Sequence, residues 1–307
     1  MIAVAGAGAM GGMLAAKLHA AGVKVALLDV SKELVSRING HGLTVAVKNA
    51  GTETFRIPAF DRPEELGEAE AVFVFVKAHL TASAAKLIRP LVGPGTTVVS
   101  LQNGWGNADV LAEHHPAEQI VVGVTYHSAT TTGLGQIAHT GFGPTFVGPY
   151  ADGAPMDRAN AIAALMRRAG FEIEATPAVK TEIWKKLILN AATLPTAALT
   201  GLCAGDLGQP GPMLDLVDAI AAEAVAAARS LGYDIRLEER LERIHTVLRN
   251  AGKGKASMLQ DAEARRKTEI EVINGAVVRA AAQTGVDVPL NRAMVALIGG
   301  LERSWTA

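Results

Sequence analysis

The sequence predicts an α/β protein, a doubly wound parallel sheet followed by an all-helical C-terminal domain. Three observations carry this expectation. Up to about residue 175, short β-branched runs alternate with helical stretches and Gly/Pro punctuation. Beyond that point the chain is rich in Ala, Leu and Glu at helical spacing and offers no convincing strand. A length of 307 residues suits two domains of roughly 150 residues each. The expected division is 1–175 and 176–307.

In the first part, strands are expected at Ile2–Ala5, Lys24–Asp29, Ala71–Val76, Thr96–Leu101 and Ile120–Val124, with helices between most of them. Ala71–Val76 is a continuous apolar run, as a strand buried on both faces of a parallel sheet requires. Leu43–Val47 and Phe55–Ile57 alternate around Asn49-Ala50-Gly51, which reads as an inserted hairpin. In the second part, helices are expected at about 178–194, 213–231, 237–250, 257–283 and 290–303, separated in part by Gly201, Gly232 and the Gly252/Gly254 pair.

Composition excludes several classes. With 49% hydrophobic and 19% charged residues the chain is not disordered. The 29 basic against 30 acidic residues leave no electrostatic footprint for nucleic acid. No apolar run reaches the ~20 residues of a membrane span. The Ala/Gly-rich start lacks the basic segment of a signal peptide. Cys203 stands alone, so no internal disulfide is expected, which fits a cytoplasmic setting. The eight histidines show no metal-binding spacing, and no metal is expected. His127 follows a predicted strand, where a surface or structural role outweighs a place in a cleft.

Gly6-Ala7-Gly8-Ala9-Met10-Gly11 is a G-x-G-x-x-G element directly after a predicted strand. The first glycine permits a tight turn, the second a close approach of backbone to a pyrophosphate, and the third close helix–strand packing. Ala9 and Met10 open the helix whose N-terminus faces that anion. Alone the pattern is weak. Its setting strengthens it, because strand, loop, helix and second strand all fall within Met1–Asp29, and Asp29 ends that strand about 20 residues on. A Rossmann-type dinucleotide site is expected here, against the alternative of a Gly-rich tight turn with no ligand. A carboxylate at Asp29 can bond a ribose diol and would repel a 2′-phosphate, while Val30 offers no positive charge and Lys32 is the nearest cation. NAD(H) is favoured, with NADP(H) left open. Asp29 has a competing use as a helix cap with Ser31.

Lys186 and Asn190, four apart on a predicted helix, share a face. An ammonium there could protonate a carbonyl oxygen during hydride transfer, although on spacing alone both are more simply helix-surface residues. Asn103 lies just past a strand C-terminus, where open α/β sheets bind ligands, but Asn103-Gly104 is also a common turn pair.

Taken together, GAGAMG at 6–11, VFVFVKA at 72–78, LQNGWGN at 101–107, GVTYHSA at 123–129, IWKKLILN at 183–190 and SMLQDAEARRKTEIEVINGAVV at 257–278 resemble the ketopantoate reductase (2-dehydropantoate 2-reductase) family across nearly the whole chain. The resemblance implies Lys186 as general acid, Glu269 bonding the substrate oxygen at the same centre, and Asn103 beside the nicotinamide. It further implies Asn190 and Ser257 as substrate ligands and Lys77 near the cofactor. The implied reaction is reduction of a 2-oxo acid to its (R)-2-hydroxy acid, and a homodimer is left open. Geometry adds one condition. On an unbroken helix, Ser257 and Glu269 would lie ~18 Å apart, so a break is expected between about 258 and 268.

The chain departs from the family at three positions. A family asparagine is Leu194 here, another is Gly254, and an arginine that reads a 2′-phosphate falls at Val30. Leu194 would put hydrocarbon where an amide is expected, pointing to a 2-oxo acid with an apolar or aromatic side chain. Lys253 and Lys255 could add carboxylate affinity, or be plain loop lysines. Two alternatives stand: a β-hydroxyacid dehydrogenase, which shares the glycine loop and the Lys-x-x-x-Asn helix, and a dinucleotide-sensing regulator without chemistry.

Overall fold

The structure, a computed structural model, describes residues 1–48 and 50–305. It forms two compact units, Met1–Gln102 with Asn107–Glu182, and Asn103–Gly106 with Ile183 onward. The second transition falls inside one helix, between Glu182 and Ile183, rather than after residue 175. A four-residue piece, 103–106, also goes with the helical unit.

The first unit opens β1 (Ile2–Ala5), α1 (Ala9–Ala20), β2 (Val25–Leu28) and α2 (Lys32–His41). It continues through β3 (Leu43–Val47), β4 (Gly51–Phe55), β5 (Ala59–Phe60), β6 (Ala71–Val74), α3 (Thr81–Leu87), β7 (Thr97–Ser100), α4 (Asn107–Ala112) and β8 (Ile120–Thr125). It ends with β9 (Ser128–Gly133), β10 (Gln136–Gly141), β11 (Thr145–Pro149), α5 (Asp157–Arg168) and β12 (Ile173–Ala175). Among the described residues the main sheet has eight strands in the order β12-β11-β8-β7-β6-β1-β2-β5. Its pairs are parallel except β8 with β11. Strands β1, β2, β6 and β7 are buried along their whole length, which explains their uninterrupted apolar sequence. Chain order reverses at β1, which has β2 on one side and β6 on the other, so the glycine loop after β1 sits at a topological switch point.

The hairpin needs correction. Its second strand is Gly51–Phe55, not Phe55–Ile57, in register Leu43↔Phe55 to Val47↔Gly51. Gly51, Thr52, Glu53 and Thr54 are exposed, so no apolar alternation marks the strand, and Ile57 is a core residue beyond its end. Asn49 of the expected turn lies outside the described residues. β3 also pairs with β10, and β10 with β9, making a second sheet, β4-β3-β10-β9, that the sequence reading missed. Its Thr-, Ser- and Gly-rich strands carry little apolar signal. This sheet packs on α1, where His127 and His139 share a hydrogen bond (Nδ1···Nε2 2.9 Å) beside Phe171. Burial first, then His139 and Lys17, push His127 down to about 4, so the pair is a neutral structural element.

The second unit holds most of α6 (Val179–Thr200), then α7 (Ala204–Leu207), α8 (Pro212–Ser230), α9 (Leu237–Ala251), α10 (Ser257–Glu263), α11 (Asn274–Thr284) and α12 (Pro289–Ser304). Trp184, Ile188, Ile220, Val277 and Ile298 centre its core, each fully buried. Helix α6 was expected to stop at 194, before Pro195, yet runs to Thr200. Proline has no N–H for the Ala191 carbonyl one turn back, a defect of ~3 kcal/mol in a helix interior. Here the Asn274 side chain donates to Ala191 O at 2.9 Å, and burial of Ala197 and Ala198 rewards continuing the helix. The expected single stretch 257–283 is broken as geometry required. Helix α10 ends at Glu263, Arg265 takes a left-handed φ of 49°, and a short helical turn at Ile270–Val272 precedes α11.

Candidate active site

In the first unit, the glycine loop has the geometry of a phosphate cradle. Gly6 adopts φ +97°, and a β-carbon there would lie 2.9 Å from the Phe75 carbonyl carbon. At Gly11 a β-carbon would lie 2.0 Å from Gly6 O, so the turn closes only without side chains at these positions. Gly8 differs, having nothing within 4 Å of that point, so the loop presents bare, open backbone there. No side chain caps α1, and the N–H groups of its first turn, around Ala9 and Met10, are oriented for an anion. The residues present thus fit a dinucleotide.

Asp29 follows β2. Its Oδ2 accepts from Ala7 N at 2.8 Å and its Oδ1 from Ser31 N at 2.9 Å. The capping of α2 falls to Ser31, whose hydroxyl accepts from Leu34 N, so the Asp29 carboxylate is tied to the glycine loop instead. Val30 beside it is 73% exposed, the most open large apolar side chain of the described residues. Lys77, half-buried, lies just past β6 at the start of a short helical turn.

In the second unit, Lys186, Asn103 and Glu269 come together. Lys186 Nζ donates to Asn103 Oδ1 at 2.9 Å. An ammonium can only donate, so it fixes the Asn103 amide with its oxygen inward. Burial pushes the amine down from its usual 10.5 to about 8, and the Glu269 carboxylate opposes that fall. The amine is therefore charged at neutral pH and close to releasing its proton, the condition a general acid needs. Asn190 and Leu194 follow one and two turns along α6, each 8% exposed, with Leu194 packed in the helical core. Ser257, exposed, opens α10 and is tied to none of these by a hydrogen bond in the structure. Lys255, exposed, pairs with Glu263 Oε1 at 2.6 Å.

Supporting residues escaped the sequence reading. Thr268 N donates to Glu302 Oε1 at 2.7 Å, bracing the backbone beside Glu269 from the end of α12. In the first unit, Gln102 Nε2 donates to Val76 O and to Thr81 Oγ1, and Thr81 Oγ1 donates to Asn107 Oδ1. Thr81 thereby clasps both ends of the 103–106 segment. Only the polar run Gln102-Asn103-Gly104 hinted at this.

Comparison with known proteins supplies the decision. Residues 2–152 match the family described as Ketopantoate reductase PanE/ApbA, and residues 178–302 match Ketopantoate reductase PanE/ApbA C terminal. The chain belongs to the ketopantoate reductase family. Its relatives include the 2-dehydropantoate 2-reductases of Halobacterium salinarum, 32% identical over 97% of either chain, and Archaeoglobus fulgidus, 30% identical over 98% of this chain and 97% of that one. Among solved structures, a ternary complex of D-mandelate dehydrogenase with NADH and anilino(oxo)acetate aligns over 100% of this chain and 99% of that one at TM-score 0.93 and 26% identity. The 2-dehydropantoate 2-reductase of Geobacter metallireducens aligns at TM-score 0.92 and 30% identity, over 99% of each chain. Like other members of the ketopantoate reductase family, this chain is an oxidoreductase acting on CH–OH groups with a nicotinamide dinucleotide. No described helix is long and apolar enough to cross a membrane.

Proposed function

We propose that this chain reduces a 2-oxo acid, ketopantoate or one with a branched, apolar or aromatic side chain, to the (R)-2-hydroxy acid, with Lys186 as proton donor. The observation that carries the reading is the half-buried, desolvated Lys186 ammonium, held by Asn103 and acted on by the Glu269 charge. Gly6, Gly8, Ala9, Met10 and Gly11 would hold the dinucleotide's pyrophosphate, Asp29 its ribose diol, and Lys77 would lie close to it. The bound reduced nicotinamide would supply hydride to the keto carbon. As the carbonyl oxygen gains negative charge, Lys186 passes it a proton and is left as the neutral amine, so two electrons and two hydrogens are added overall. Glu269 keeps the amine charged before transfer and accepts a hydrogen bond from the nascent hydroxyl. Asn103 orients the amine, and Asn190 and Ser257 would bind the substrate's polar end.

Two features favour an apolar or aromatic side chain and NADH. Leu194, one turn beyond Asn190 on α6, would put hydrocarbon where an amide could bond a hydroxyl, and a pocket lacking a hydrogen-bonding group does not select for a hydroxyl. Asp29 with exposed Val30 disfavours a 2′-phosphate. The similarity to a D-mandelate dehydrogenase bound to NADH and anilino(oxo)acetate points the same way. The test is a kinetic matrix of NADH and NADPH against ketopantoate, 2-oxoisovalerate, phenylpyruvate and benzoylformate. Highest kcat/KM is expected with NADH and an apolar or aromatic acid. Strong selectivity for ketopantoate with NADPH would overturn the readings of Leu194, Gly254 and Val30.

A further inference from the structure

The segment Asn103-Gly104-Trp105-Gly106 touches both elements that carry Lys186 and Glu269, and besides Asn103 it does so through Gly104 and Trp105, residues without any chemistry of their own here. The Trp105 backbone N–H donates to Val272 O at 2.8 Å, and Val272 lies three residues past Glu269 in the same short helical turn. The Trp105 ring packs on Trp184, with centroids 5.6 Å apart, and Trp184 precedes Lys186 by two residues on α6. Tyr233 closes the group at 6.1 Å from Trp105 and 5.7 Å from Trp184. Gly104 permits this docking: it adopts φ +87°, and a β-carbon there would lie 2.4 Å from Val272 O. The segment's ends are clasped by Thr81 through Gln102 and Asn107, so its tip has little slack.

We propose that Trp105 is a positioning residue, whose docking on Trp184 and Val272 places the Asn103 amide on Lys186 and holds that contact in register with Glu269. Trp105 touches neither substrate nor cofactor in this assignment. It acts through Asn103, and its kinetic consequence rests on the reductase reading above. A large apolar ring suits the task because it buries much area with few rotatable bonds, giving a stiff anchor. Misplacement of a catalytic group by about 1 Å can cost ~10²-fold in rate.

Three variants test this: W105L, which keeps an apolar side chain but loses the ring stack, G104A, which forces the segment off Val272, and the conservative W105F. Crystal structures of the variants are expected to show the Lys186–Asn103 hydrogen bond broken in W105L and G104A and kept in W105F. In steady-state assays, W105L and G104A are expected to lose at least about tenfold in kcat. Dissociation constants for NADH are expected to stay within about twofold of the parent, because the glycine loop is untouched. W105F is expected to restore most of kcat. The proposal is overturned if the hydrogen bond persists in folded W105L or G104A, or if kcat is unchanged while the bond is lost. It is likewise overturned if NADH affinity falls in step with kcat, which would mark a purely structural role. If the parent enzyme reduces no 2-oxo acid, the functional reading fails by itself, and the crystal structures still decide the positioning claim. Should W105L not fold, G104A carries the same test.

Discussion

A single amine sets the pH behaviour expected of this enzyme. K186A should lower the reduction rate by about 10²–10⁴ while NADH still binds, measured by single-turnover absorbance and by fluorescence titration. The sign of the pH effect follows from the charge required. With Lys186 as the acid, reduction needs the ammonium, whose population falls as pH rises through about 8, so kcat/KM for reduction should decline on the alkaline side of that value. The reverse oxidation needs the neutral amine and should rise over the same range. Because the Glu269 charge holds the amine's pKa up, E269Q should move the alkaline limb of the reduction profile to lower pH. A limb that stays in place in E269Q would remove Glu269 from the pair. None of this was visible in Lys-x-x-x-Asn, which fits an ordinary solvated helix face equally well. What singled out Lys186 was the match of long stretches to a known family, and what gives it a depressed pKa is burial that spacing cannot encode.

Among the elements, α6 carries the proposed proton donor and also the defect at Pro195. Asn274 repairs that defect by donating to the Ala191 carbonyl, and a second bond from its amide to Asn291 Oδ1 at 3.1 Å ties α11 to α12. Glu223 of α8 in turn accepts from Asn291 Nδ2. N274A should therefore destabilise the protein by about 1–3 kcal/mol through a buried acceptor left without its donor. In a P195A background the new backbone N–H can reach Ala191 O, so the same substitution should cost less. A double-mutant cycle by denaturant unfolding checks this, and additive effects would show that Asn274 does not serve the carbonyl. The helix stop expected at 194 failed for this reason: a distant side chain satisfied what the local sequence left open. The strands of the parallel sheet were legible because burial on both faces leaves an apolar run. In the second sheet β3 was legible at Leu43–Val47 from its alternating apolar residues, but β4, β9 and β10 were not, because Thr-, Ser- and Gly-rich strands are specified by their partners.

At the scale of the whole chain, two units with separate cores are expected to lose structure in distinguishable steps. All three tryptophans, Trp105, Trp184 and Trp305, belong to the second unit. Tryptophan emission thus reports that unit alone, while far-UV circular dichroism averages over both. The two thermal transitions should not coincide, and coincidence across scan rates would mean that the units unfold as one. The two-part organisation was legible in the change of composition near residue 175. The placement of 103–106 was not, since a turn sequence after a strand carries no sign of which core will claim it.

That placement bears on how such an enzyme could be dismantled or recombined. A fragment ending before Ile183 would carry an aromatic tip made for a surface it no longer has, and the complementary fragment would lack the amide that steadies its own lysine. The two halves are therefore not interchangeable cassettes. A chimera joined only at the helix would inherit Lys186 from one parent and the amide that holds it from the other, and, if Lys186 is the proton donor proposed, its activity would depend on how well those two parents agree over four residues.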